Sequence, residues 1–319
     1  MDSPLQFITG AFSHGPLYLY PDAYWQQFHL LIGVVPVISI MTIESLRERN
    51  QHGWRRVMNW TSIWACAYQL LGGAFIMPLY HVLYVLLVSS SRQNIQANRT
   101  GRRVPLRFAK ALLPAIIFGY FIPTVLLFLP GWFQQKTTLY MIAYWQFAPI
   151  YVNILLAIFS RFFVAKHQSH TTNTKYVAMT ETADDIPYLK NVYLFSILVS
   201  FLSHMITAFS IVSSSSELLS LASVFLPNKQ NLVLGVAEHF HWIFQCDWVG
   251  IASTWLMWAL YTTLKPQAEH HEASTVRGVV VSIVWILLLA ILLGPSGAIA
   301  VVCWQREDRM AIQAGEKKK

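Results

Sequence analysis

Seven runs of largely apolar residues, each long enough to cross a bilayer as a helix, occupy most of this chain, near 25–46, 57–90, 108–129, 138–164, 189–213, 230–264 and 277–303. A helical span needs about 20 such residues. The runs are continuous and do not alternate with period two, which selects helices over a β-barrel. A mean hydropathy of +0.44, with 12% charged against 55% hydrophobic residues over 319 positions, excludes an ordinary soluble domain. The expected fold is all-α: a polytopic membrane bundle of about seven transmembrane helices, with eight as the alternative.

The count turns on 57–90. Residues 1–24 contain no Lys or Arg, which places them outside the cytosol. The basic loops 47–56 and 91–110 both prefer the cytosol, yet a single crossing between them puts them on opposite sides. Gly72, Gly73 and Pro78 lie inside this segment. It is either one long tilted helix or a broken pair that re-enters, each half of the pair holding only about 16 residues. The organisation expected is a non-cytosolic segment 1–24, a helical bundle 25–304 and a basic tail 305–319. The first span acts as an uncleaved signal anchor, which points to the endoplasmic reticulum membrane. The loop 166–188 is polar, and 213–229 reads as an interfacial or re-entrant helix capping one end of the bundle.

The net charge of +8 resides in loops and in the tail GEKKK, where it sets topology and touches the membrane surface. It does not point to nucleic acid. Cys66, Cys246 and Cys303 have no paired spacing, against both a disulfide framework and a zinc site.

The run 230–264 carries Glu238, His239, His241, Gln245 and Asp247 near its middle. Ionisable groups at membrane depth are costly and mark cavities or chemistry. Glu238, His241 and Gln245 share one helical face. Asp247 lies about 180° away and about 13 Å along the axis from Glu238, so one unbroken helix cannot aim both acids into one cavity. Phe240, Phe244, Ile251, Thr254 and Trp258 share the Asp247 face. Interfacial aromatic belts account for Trp25 and Trp304, but less readily for Trp242, Trp248 and Trp255 at mid-span. An acid beside aromatic rings, with water excluded, suits the making and holding of a carbocation. The plain alternative is that Asp247 pairs with a buried Arg, His or backbone group. Glu238 with His241 is either a hydrogen-bonded tie between helices or a functional pair. Glu44, within the first apolar run, either pairs with Arg47 for a few tenths of a kcal/mol or supplies a second acid. Trp145 and Gln146 lie in YWQFAP, where Pro149, with Pro123 in the preceding span, kinks helices and opens space.

No Asp-rich magnesium motif is present. Asp184 and Asp185 sit in a polar loop without a third acid at suitable spacing, which argues against diphosphate ionisation. HExxH, GxSxG and phosphate-cradling glycine loops are absent. No metal and no cofactor are expected.

The runs IESLRERN (43–50), AYQLLGGAFIMPLY (67–80), YWQFAP (144–149) and FQCDWVG (244–250) resemble the small integral-membrane terpene cyclases of fungal meroterpenoid and indole-diterpenoid biosynthesis. The likeness covers most of the membrane core, in order. It implies a metal-independent enzyme that protonates an epoxide or alkene of a prenyl chain and steers the cation with aromatic residues. Its substrate would carry an aromatic or indole head and come from other enzymes of a pathway. By this resemblance Glu44 and Asp247 are the acids, with Glu238 as a further candidate. Phe240, Phe244, Trp248, Trp258, Trp145, Gln146, Gln245 and His241 are candidates to line the substrate. The rival classes are a seven-helix receptor or transporter and a haem-binding electron carrier. The first lacks Asp-Arg-Tyr, Asn-Pro-x-x-Tyr and an internal repeat.

Overall fold

A computed structural model describes residues 4–89, 101–164, 185–216, 219–229, 235–269 and 276–313. Residues 91–100 of the basic loop, the polar loop up to Asp184, Glu217 and Leu218, the start of the 230–264 run and the end of the tail lie outside the described residues.

The described residues form helices and connecting turns. The principal helices are α1 (Pro4–Ser13), α2 (Pro21–Leu46), α3 (Thr61–Leu71), α4 (Gly73–Tyr84), α5 (Leu106–Leu127), α6 (Gln135–Trp145), α7 (Ala148–Val164), α8 (Ile186–Val212), α9 (Leu221–Phe225), α10 (Val236–Glu269) and α11 (Val276–Gln313). The expectation of an all-helical fold is met.

Helix α2 is the axis of the bundle. Pro21 stands in its first turn, where the missing N–H costs nothing, and Asp22 faces the positive helix end. Its middle is apolar on every side, the mark of a helix surrounded by protein. Helices α5, α8, α9, α10 and α11 all pack on it, and nearly every residue from Ala23 to Ser45 is buried. Tyr24 Oη donates to the Phe128 carbonyl at 3.0 Å, and Tyr120 Oη to that of Leu31 at 2.9 Å.

Three breaks shape the interior. Gly72 has φ +91°, which ends α3 and starts α4 at a new angle; residues with a Cβ rarely adopt it. Helices α6 and α7 are bent by 62°. Helix α11 kinks at Gly294, φ +78°, beside Pro295. Pro295 has no N–H for the Ile291 carbonyl. That carbonyl is taken instead by His204 Nε2 of α8 at 3.0 Å, while Ser200 Oγ donates to the Leu293 carbonyl at 3.1 Å.

By length and composition four helices, α2, α5, α8 and α11, are suited to cross a membrane, or five if the bent pair α6 and α7 is one span. The count of seven or eight is therefore not confirmed. The run 57–90 is divided at Gly72 into pieces too short to span alone, and α10, though long, is made more polar by its own buried groups.

Candidate functional site

Phe240, Phe244, Asp247 and Ile251 of α10 follow one another at i, i+4, i+7 and i+11, a single helical stripe. That stripe forms one wall of a cavity of ≈ 310 Å³. What brings Asp247 to its place is the close approach of α4 and α10. A Cβ on Gly250 would lie 2.5 Å from Ala74 Cβ, and one on Gly73 would lie 2.4 Å from Ile251 Cδ1. Glycine at both positions lets the two backbones meet. The carboxyl group then reaches the first turn of α4, whose amides have no partner within their own helix. Ala74 N–H donates to Asp247 Oδ1 at 2.9 Å, and Gly73 N–H also bonds the carboxyl. The bend at Gly72 aims these amides at the cavity.

The facing wall comes from α1, α2, the C-terminal end of α3, Tyr120 of α5 and Trp145 of α6. Its rings interlock: Phe12 lies 4.7 Å from Phe244 and 5.5 Å from Trp145, Tyr120 lies 5.9 Å from Trp145, and Phe7 lies 5.6 Å from Phe240, between centroids. Such spacings suit edge-to-face aromatic packing. The polar ends of two rings are tied back to protein, Tyr120 Oη to Leu31 and Trp145 Nε1 to Thr124 Oγ1 at 2.8 Å. Asp247 is the one carboxyl group among the lining residues.

Of the residues singled out in the sequence, Asp247, Phe240, Phe244 and Trp145 meet at this cavity. The other candidate acids and substrate-lining residues do not line it. His241 Nε2 and Gln245 Nε2 both reach the Ser223 carbonyl, at 2.9 and 2.6 Å, and so tie α9 to α10. Trp248 Nε1 donates to His29 Nδ1 at 3.0 Å, which leaves His29 Nε2 to donate to His204 Nδ1 at 3.2 Å. His29 and His204 thus bond each other directly, with no ligand position between them. Trp258 lies beneath the Arg306 guanidinium, 5.5 Å from its carbon. Gln146 is buried away from the cavity, and Glu238 lies in the first turn of α10.

Glu44 is not among the residues that line this cavity. It sits at the other end of α2, 1% exposed. Oε1 accepts from Arg47 Nε and from Arg306, both at 2.7 Å, and Oε2 accepts from Arg49 at 2.6 Å and Tyr84 Oη at 2.8 Å. Arg47 also binds Glu307 and the Arg102 carbonyl, and Arg102 pairs with Asp185 at 3.0 Å. The pairing of Glu44 with Arg47 is present, but as part of a buried network rather than as an isolated helix-end contact.

Phe7, Phe12, Tyr68 and Tyr120 line the cavity and were not among the candidates. Phe7, Ile8, Ala11 and Phe12 repeat with helical spacing, a signal hidden because residues 1–24 read as a plain outer segment. Tyr68 and Gly72 lie inside the run AYQLLGGAFIMPLY, whose role was open. Among the described residues no three His, Cys, Asp or Glu side chains converge as a metal-binding group.

The terpene cyclase ascI of Acremonium egyptiacum is 24% identical over 297 residues, 89% of this chain and 72% of that protein. The FAD-dependent monooxygenase verC1 of Penicillium polonicum is 31% identical over 151 residues, 45% of this chain but 18% of that protein. No solved structure matches the chain. The Acremonium match bears out the resemblance to fungal terpene cyclases read from the four motifs. Residues 16–311, from before α2 to the last turn of α11, match the CtvD domain, and the chain therefore belongs to the CtvD-domain family.

Proposed function

We propose that the protein is a membrane-embedded, metal-independent terpene cyclase in which Asp247 starts the reaction. The observation that carries this reading is a single carboxyl group in an aromatic-walled cavity, in a chain most of which matches a terpene cyclase. Protonated Asp247 gives its proton to an epoxide oxygen or a terminal alkene carbon of a prenyl chain. In the epoxide case the C–O bond to the more substituted carbon breaks. In either case an electron-poor carbon forms and is attacked in turn by the next double bonds. The last cation is discharged by loss of a proton or by capture on the head group. Phe12, Phe244, Trp145 and Tyr120 supply ring faces, each worth up to ~2 kcal/mol to a desolvated cation.

Helix α4 has a definite part in this scheme. Its first amides accompany Asp247 before and after transfer. The carboxylate left behind gains from them and from the positive helix end, about 0.3–2 kcal/mol for the end effect. The acid is thus kept dry by the cavity, and its conjugate base is received by a prepared helix terminus. The substrate fitting this description is a prenylated aromatic or indole compound made by other enzymes of a pathway, and the site of work is the endoplasmic reticulum membrane. Glu44 acts as structural support.

The test is product formation by Asp247→Asn in membranes, at matched expression, from a panel of prenylated and epoxidised substrates. The amide still accepts a hydrogen bond from Ala74, so the tie between α10 and α4 survives. A lost general acid costs ~10²–10⁴-fold in rate. Turnover within a few-fold of wild type would leave Asp247 with the tie alone.

A further inference from the structure

We infer that the cavity is loaded sideways from the bilayer, through a portal between α1, the α3–α4 bend and α10, and that the occupant of the portal is the hydrocarbon tail of a substrate already dissolved in lipid. This rests on the cyclase reading of the same cavity. Three observations carry it. The first is depth. Leu30, Leu31 and Val34 line the cavity from α2, and they stand about 14–20 Å from the start of a helix about 39 Å long at 1.5 Å per residue, near mid-helix. The Glu44 cluster lies at the C-terminal end of the same helix.

The second is that four lining residues have a second face. Leu70, Leu71, Ile243 and Phe7 border the cavity and are also 63%, 67%, 43% and 64% exposed. They are the rim. An apolar rim of this kind, at the middle of an apolar bundle, meets lipid tails rather than water. The neighbouring Phe75, 68% exposed, continues the same surface.

The third is the backbone of the rim. An irregular bend facing hydrocarbon is tolerated only if its polar groups are satisfied or face a cavity. Gly72 N–H is held by the Tyr68 carbonyl at 3.1 Å, and the amides of Gly73 and Ala74 turn inward to Asp247. The outer side of the bend is left apolar. A prenyl tail therefore crosses the rim without passing an unpaired backbone N–H of the bend, into a cavity whose one carboxyl group is Asp247.

The experiment uses the full chain in phosphatidylcholine vesicles, with substrate varied as a mole fraction of lipid. Leu71→Trp narrows one side of the rim and Ile243→Trp the other; Leu288→Trp, exposed on α11, is the control. The expected result is a rise in KM of about tenfold for the two rim variants with the loss falling on KM rather than kcat, and none for the control. Wild-type KM in both rim variants, or a loss confined to kcat, overturns the portal. A second measurement needs no turnover. A prenyl chain with a terminal diazirine, dissolved in the same vesicles, is photolysed with Asp247→Asn protein. Labelling of the Phe240–Ile251 segment that falls when Leu71→Trp or Ile243→Trp is added supports the portal. Equal labelling overturns it. A wild-type protein that turns over no prenyl substrate would count against the cyclase reading, while the labelling would still decide the portal.

Discussion

Glu44→Gln should destabilise this protein rather than silence its chemistry. The side chain is nearly isosteric, so packing is retained and the charge is what is lost. In the wild type the buried cluster holds the guanidinium groups of Arg47, Arg49, Arg102 and Arg306 against the carboxylates of Glu44, Glu307 and Asp185. Four hydrogen bonds converge on the Glu44 carboxylate. With Gln, Arg47 keeps Glu307, but Arg306 loses the Glu44 carboxylate and keeps the Tyr84 hydroxyl, the Trp258 ring and at most a neutral amide oxygen. An uncompensated charge in such a setting costs about 3–5 kcal/mol. That is a large part of a typical stability of about 5–15 kcal/mol. At about 2 °C per kcal/mol for a chain of this size, the melting temperature falls by roughly 6–10 °C. The assay is the loss of folded, monodisperse protein on heating in mild detergent, beside turnover per folded molecule. Glu44→Gln/Arg306→Leu should recover part of the loss, since the cycle removes both members of one pair. A Glu44→Gln protein that melts like wild type yet turns over at a small fraction of its rate would refute this reasoning and return Glu44 to the reaction.

Gly72→Ala imposes a side chain on a backbone at φ +91° and puts a Cβ 3.1 Å from Asp247 Oδ1; about 1–3 kcal/mol of strain should appear as a lower melting temperature together with slower turnover, and wild-type values of both would mean that the bend does not position the acid. Phe244→Leu removes a ring from the cavity and should slow cyclisation by up to ~30-fold, from a lost cation contact of up to ~2 kcal/mol, with more partly cyclised product by mass spectrometry. Trp258→Phe, outside the cavity, should leave the product pattern intact. Membranes stripped with EDTA should keep their turnover; activity lost and then restored by Mg²⁺ would replace protonation with diphosphate ionisation.

Local pattern made much of this molecule readable. Apolar length gave the helices, and turning at 100° per residue separated Asp247, with Phe240 and Phe244, from Glu238 and His241. The structure keeps that separation: the first three face the cavity, and His241 faces Ser223. What escaped is what depends on distant chain. Glu44 reads in sequence as either a helix-end ion pair with Arg47 or a second acid because Arg306, which also binds its carboxylate, is 262 residues away. The cavity wall made by Phe7 and Phe12 comes from a helix of only 10 residues in a stretch that charge alone had assigned. The break within 57–90 was visible as Gly72, but the close approach of Gly250 to Ala74 that accompanies the bend depends on a residue far along the chain.

The burial of α2 also sets a timetable. This helix emerges early in synthesis, yet the partners for its polar groups arrive late: His29 waits for His204 and Trp248, and Glu44 for Arg306. At about 5–20 residues per second, the 262 residues between Glu44 and Arg306 take roughly 13–50 s to make. Throughout that interval the nascent bundle carries a carboxylate without its late-arriving guanidinium. Arg47 and Arg49, three and five residues on, are already there, and their contacts with Glu44 are the two ion pairs of the cluster that need no later helix. The two local pairs thus guard the chain while the rest is still being made.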